Sequence, residues 1–113
     1  MEKTLTIDGR QVRFKSTGAF LLRYKAQFQR DGLADIIRLL ESFDGTGKKI
    51  TNYGTFDLEV FYNIAWTLAK TADKDIPGPM DWLESFDEFP VVDILTELRE
   101  MVISTMSASK KKG

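Results

Sequence analysis

FDLEVFYNIAWTLAKTADKDIPGPMDWLESFDEF, residues 56–89, sets the architecture by joining an aromatic-rich helix to a proline-broken turn and a short tryptophan-bearing helix. Leu58, Phe61, Tyr62, Ala65, Trp66 and Ala69 keep a helical period to about Ala72, and the early acids Asp57 and Glu59 suit the positive end of a helix. So continuous an apolar and aromatic run predicts the central helix. Asp75 to Pro79 breaks it, and Met80 to Phe86 reads as a short helix. Pro90 then fits the start of a last helix, whose buried side is marked by Val91, Ile94, Leu95, Leu98, Met101, Val102 and Met106.

Toward the amino terminus the period changes from helical to two. Leu5 and Ile7 alternate with threonines, Asp8-Gly9 supplies residues that accept positive φ, and Val12 and Phe14 alternate with Gln11, Arg13 and Lys15. A two-residue turn there pairs Leu5 with Val12 and Lys3 with Phe14, which gathers Leu5, Ile7, Val12 and Phe14 on one face. A lone hairpin is marginal in water, so that face must pack on helices. Ser16 or Thr17 is placed to cap a helix carrying Phe20, Leu21, Tyr24 and Phe28, and Asp31-Gly32 interrupts it. A second helix is expected from about Leu33 to Phe43, buried through Leu33, Ile36, Ile37, Leu40 and Phe43. The glycine-bearing segment from Asp44 to Thr55, with Lys48 and Lys49, reads as a mobile loop. The expected fold is α+β and predominantly helical, an N-terminal β-hairpin followed by about five helices. One domain spans 1–107, and a flexible basic tail, 108–113, ends in Lys110-Lys111-Lys112.

With 113 residues, 42% of them hydrophobic, the chain suits one core rather than two. It has no cysteine, so no disulfide is needed or available. No apolar run approaches the roughly 20 residues that span a bilayer, and the amino terminus alternates where a secretory signal is continuous. The expected location is the cytoplasm.

Histidine is absent as well, which removes the side chains most used as general bases, thiol nucleophiles and transition-metal ligands near neutral pH. No catalytic residue, metal or cofactor is expected, and the protein reads as a binder rather than an enzyme. Asp73, Asp75, Gly78, Asp81 and Glu84 do match the spacing of a calcium loop. Pro77, however, offers no side-chain oxygen at the fifth position, and Pro79 restricts the backbone that has to wrap the ion. The glycines around Lys48-Lys49 lack the spacing of a phosphate-binding loop. Nucleic-acid binding through Arg10, Arg13, Lys15, Arg23, Lys25 and Arg30 is opposed by a pI near 5.5.

Charge is sorted along the chain although the net charge is only −1. Residues 1–30 hold seven basic side chains against Glu2 and Asp8, and residues 73–100 hold nine acids against Lys74 and Arg99. Ordinary solvated faces explain this, and so does self-association through Arg10, Arg13 and Arg23 against Glu84, Asp87 and Glu88.

Several pieces together carry a resemblance. They are Arg23-Tyr24 ahead of Gln27-Phe28, then Asn63-Ile64-Ala65-Trp66 followed by Ala69-Lys70 and Ala72-Asp73, then Asp81-Trp82-Leu83 before Phe86. In this order, behind a basic hairpin, they resemble the tail assembly chaperones of long-tailed (siphovirus) phages and prophages of Gram-positive bacteria. The resemblance implies a protein that coats the tape measure protein in the host cytoplasm until tail tube subunits polymerise, and that is absent from the mature virion. It also implies a homo-oligomer, and a longer frameshifted form that reaches the tail tube protein, with the terminal lysines as the slippage site; a solubilising tail explains those lysines equally. Reversible burial of an apolar client suits aromatic and methionine side chains, here Tyr62, Trp66, Trp82, Phe86, Met101 and Met106. Each of them serves equally as core. The expectation for the short helix is that Trp82→Ala weakens client binding more than stability. A small regulatory or adaptor domain that binds another protein is the alternative.

Overall fold

The computed structural model describes residues 1–43, 51 and 56–107; the loop expected at 44–55, apart from residue 51, and the basic tail at 108–113 lie outside them. The hairpin forms in the expected register. Strand β1 (Glu2–Ile7) runs antiparallel to β2 (Arg10–Lys15), with Leu5 opposite Val12 and Lys3 opposite Phe14. Asp8 and Gly9 turn with φ of 54° and 77°, so both are left-handed, the condition for a turn whose twist matches that of the strands. Ile7, Val12 and Phe14 are buried and Leu5 is half-buried.

Helix α1 (Phe20–Phe28) starts later than a cap at Ser16 or Thr17 requires. Thr17 is spent on the turn before the helix, where its carbonyl accepts from Phe20 and its hydroxyl from Ala19. Ser16 is buried, with its hydroxyl 3.2 Å from that of Ser104. The chain leaves α1 through Gln29 in the left-handed region and re-enters a helix at once. Asp31 caps α2 (Gly32–Leu40) by accepting from the amides of Leu33 and Ala34. The close approach of α1 depends on Gly32, where an added Cβ would stand 3.0 Å from Leu21 and 3.2 Å from the Tyr24 ring.

The buried stripe of α2 differs from the expected one. Ile36 and Leu39 face the core, whereas Leu33 and Ile37 are 42% and 45% exposed. The helix also ends at Leu40, because Ser42 and Phe43 donate to the carbonyls three residues back and tighten the chain into a turn.

Helix α3 (Leu58–Ala72) is the central element, capped by Asp57 and packed against β2, α1, α2 and the short helix α4 (Pro79–Glu84). Its middle, from Val60 to Ala69, is buried on almost all sides, while Leu58, the first residue of the helical period, stands out at the exposed first turn. Pro79 opens α4, which stops two residues short of Phe86 in another turn of three-residue bonds. Helix α5 (Val91–Ser107) buries Ile94, Leu95, Leu98, Met101 and Val102 as its period predicts. One hydrophobic cluster takes side chains from all seven elements, so the hairpin and the helices share a core.

Candidate protein-binding surface

Four of the six apolar side chains singled out in the sequence are core. Trp66, Trp82, Phe86 and Met101 are buried, with Trp82 only 2% exposed; Tyr62 and Met106 are half-buried. Trp82, Phe86 and Phe89 form a triangle of rings with centroids 5.3–5.6 Å apart, and Tyr62 and Phe61 extend it toward α3. Such offset and edge-on contacts add to area burial. The short helix is therefore pinned by its tryptophan, so of the two readings of Trp82, core and client contact, the packing matches core.

The hairpin tip clasps this cluster from outside. Arg10 donates from one guanidinium nitrogen to the carbonyl and hydroxyl of Ser85, both at 3.0 Å, and its guanidinium carbon sits 4.0 Å from the Phe86 ring centroid. Asp8 accepts from the Asp87 amide at 2.8 Å. Part of the complementarity between the basic and acidic ends is satisfied inside one molecule by the Lys3–Glu97 pair at 3.2 Å. Among the other charged candidates, Arg13, Arg23, Glu84, Asp87 and Glu88 are exposed.

A polar knot fixes α1 against α2. The Asp35 carboxylate, 5% exposed, accepts from the Tyr24 hydroxyl at 2.8 Å and from Arg30 Nε and Nη2 at 2.7 and 2.9 Å. Hydrogen bonding from Arg30 holds the Asp35 carboxyl below the usual carboxylate range, against the opposing effect of burial. Burial, reinforced by Asp35, pushes the Tyr24 phenol well above its ordinary value. The hydrophobic period does not point to this knot, because a charge beside Ile36 reads as surface. Its only signal is Asp35 standing five residues beyond Arg30, across the Asp31-Gly32 break.

Two surface features among the described residues bear on binding. The first is a groove of about 260 Å³ between α1 and α3, lined by Arg23, Ala26, Gln27, Trp66, Thr67 and Lys70. Trp66 is held against it by Nε1 donating to the Pro77 carbonyl at 2.9 Å and by an edge-on contact with Phe28. Lys70 donates to the carbonyls of Lys74 and Ile76, and the Arg23 side chain has no partner among the described residues. The second is the outer face of α2, where Leu33 and Ile37 lie one turn apart, in line with half-buried Leu40. Arg38, 4.0 Å from Asp57, ties this helix to the exposed first turn of α3 that carries Leu58.

Among the described residues no group of three or more histidine, cysteine or carboxylate side chains is placed to hold a metal, which includes the acids around Pro77. No helix among them is long and apolar enough to cross a membrane. Comparison with protein-family models, curated proteins and solved structures finds no match to the chain.

Proposed function

We propose that this protein is a non-enzymatic tail assembly chaperone, which binds an apolar helical face of the tape measure protein and releases it as the tail tube polymerises. The reading starts from the sequence resemblance. The observation that carries it furthest is the exposed pair Leu33 and Ile37, with Leu40 beside it, on a helix whose other side is already in the core. An apolar stripe at i, i+4 and i+7 matches the spacing by which one helix docks on another. A stripe of two exposed side chains, with polar neighbours such as Arg38, suits an interaction that has to reverse. The aromatic groups Trp66, Trp82 and Phe86 then act as scaffold, holding the helices that present the surface.

The test is co-expression with a tape measure protein from the genome that carries this gene. The proposal expects the tape measure protein to stay soluble and to co-purify with the chaperone, and expects Leu33→Asp with Ile37→Asp to abolish both effects without unfolding the protein. A tape measure protein that aggregates equally with and without the wild-type chain removes the proposal.

A further inference from the structure

We infer that the α1–α3 groove receives the exposed acidic face of α4 from a second copy of this chain, in a reciprocal two-fold dimer. The groove is cationic and apolar together: Arg23 and Lys70 line it beside Ala26 and Trp66, and no acid among the described residues does. Arg23 reaches no carboxylate of its own chain among the described residues. The complementary surface is on α4. Met80 is 67% exposed, and Asp81 and Glu84 flank it one and four residues on, without an ion pair among the described residues. A helix places residues i and i+4 on one face, so Met80 and Glu84 project together while Trp82 points into the core. An unbranched thioether fits an irregular groove and makes favourable contact with an aromatic wall, here Trp66.

Chain connectivity sets the symmetry. Trp66 Nε1 is bonded to the Pro77 carbonyl and Lys70 to that of Ile76, so the groove ends where the chain turns into α4. Met80 lies three residues beyond Pro77, at most roughly 10 Å of extended chain. The Pro77 end of the groove and the acidic face are therefore close together. A two-fold axis between them lets each copy offer both halves at once and closes the assembly at two. This inference does not depend on the identity of the client.

Sedimentation velocity on the purified protein, from micromolar to millimolar concentration, tests it without any client. The expected result is a concentration-dependent dimer that weakens as salt rises, because its ion pairs are exposed. Met80→Asp should raise the dissociation constant about tenfold or more, since symmetry counts the lost anchor twice. Arg23→Glu or Glu84→Arg alone should weaken the dimer about three- to tenfold, and the two together in one chain should restore most of the loss. All three side chains are exposed, so melting temperatures should stay unchanged and serve as the folding control. A monomer throughout, a dimer indifferent to these substitutions, a pair of charge reversals that merely add, or growth beyond a dimer overturns the inference.

Discussion

Replacing Asp35 by alanine removes the acceptor for Tyr24 and both nitrogens of Arg30 in one step. The Tyr24 side chain is fully buried, so its hydroxyl loses its carboxylate acceptor with no route to water, a loss of about 1–3 kcal/mol. Arg30 is different. Its side chain is 39% exposed and reaches solvent on its own, which limits that part of the loss to about 0.2–1 kcal/mol. The total comes to about 1–4 kcal/mol, a fall in melting temperature of roughly 5–17 °C for a domain of this size. Urea denaturation of the wild type, Asp35→Ala, Tyr24→Phe and the double variant measures it. Because Tyr24→Phe deletes the stranded hydroxyl, the double variant should be more stable than the summed single losses predict by about 1 kcal/mol. Additivity within about 0.3 kcal/mol, or a loss below about 1 kcal/mol for Asp35→Ala, refutes the coupled knot.

Four further outcomes follow from the same contacts. The depressed Asp35 carboxyl contributes stability that is present above the ordinary carboxylate range and lost as pH falls through it, so acid titration of Asp35→Asn should show a shallower loss below about pH 4 than the wild type. The raised Tyr24 phenol works in the opposite direction: its contribution holds below about pH 10 and is lost above it, as the unfolded tyrosine ionises first, and Tyr24→Phe should flatten that alkaline limb. Trp82→Ala empties a fully packed site and should cost about 3–5 kcal/mol in chemical denaturation, with any change in client affinity following from unfolding. Arg10→Ala should lower stability by only about 1 kcal/mol while hydrogen exchange at the Asp87 amide speeds up, because the clasp loses its cation–π and Ser85 contacts.

The elements differ in how far they can be read from sequence, and the reasons are physical. Period two and an Asp-Gly turn fix the hairpin register twice over, and the stripe of α5 is bordered by charged residues that leave it a single phase. Helix α2 carries Leu33, Ile36, Ile37, Leu39 and Leu40, an apolar arc of roughly 160° that is wider than the strip the core takes up. Two phases therefore satisfy its pattern, and only the packing of α1 against Gly32 and the Tyr24–Asp35 bond select Ile36 and Leu39 as core. Trp82 illustrates a second limit. An acidic, proline-bounded segment reads as surface, but its aromatic spacing also suits a tight ring cluster, and the hairpin residues that close over it lie some eighty positions away in sequence, with Asp8 and Asp87 separated by 79. The open surfaces, Leu33 with Ile37 and the groove beside Arg23, became visible only once the phases of α1, α2 and α3 were fixed together.

Affinity between the purified protein and the tape measure protein, measured by isothermal titration, tests the central claim most directly. The account predicts reversible binding that Leu33→Asp with Ile37→Asp weakens at least about tenfold at an unchanged melting temperature, which is the loss expected when an apolar anchor is removed from a helical interface. No binding by the wild type, or binding indifferent to both substitutions, would contradict it.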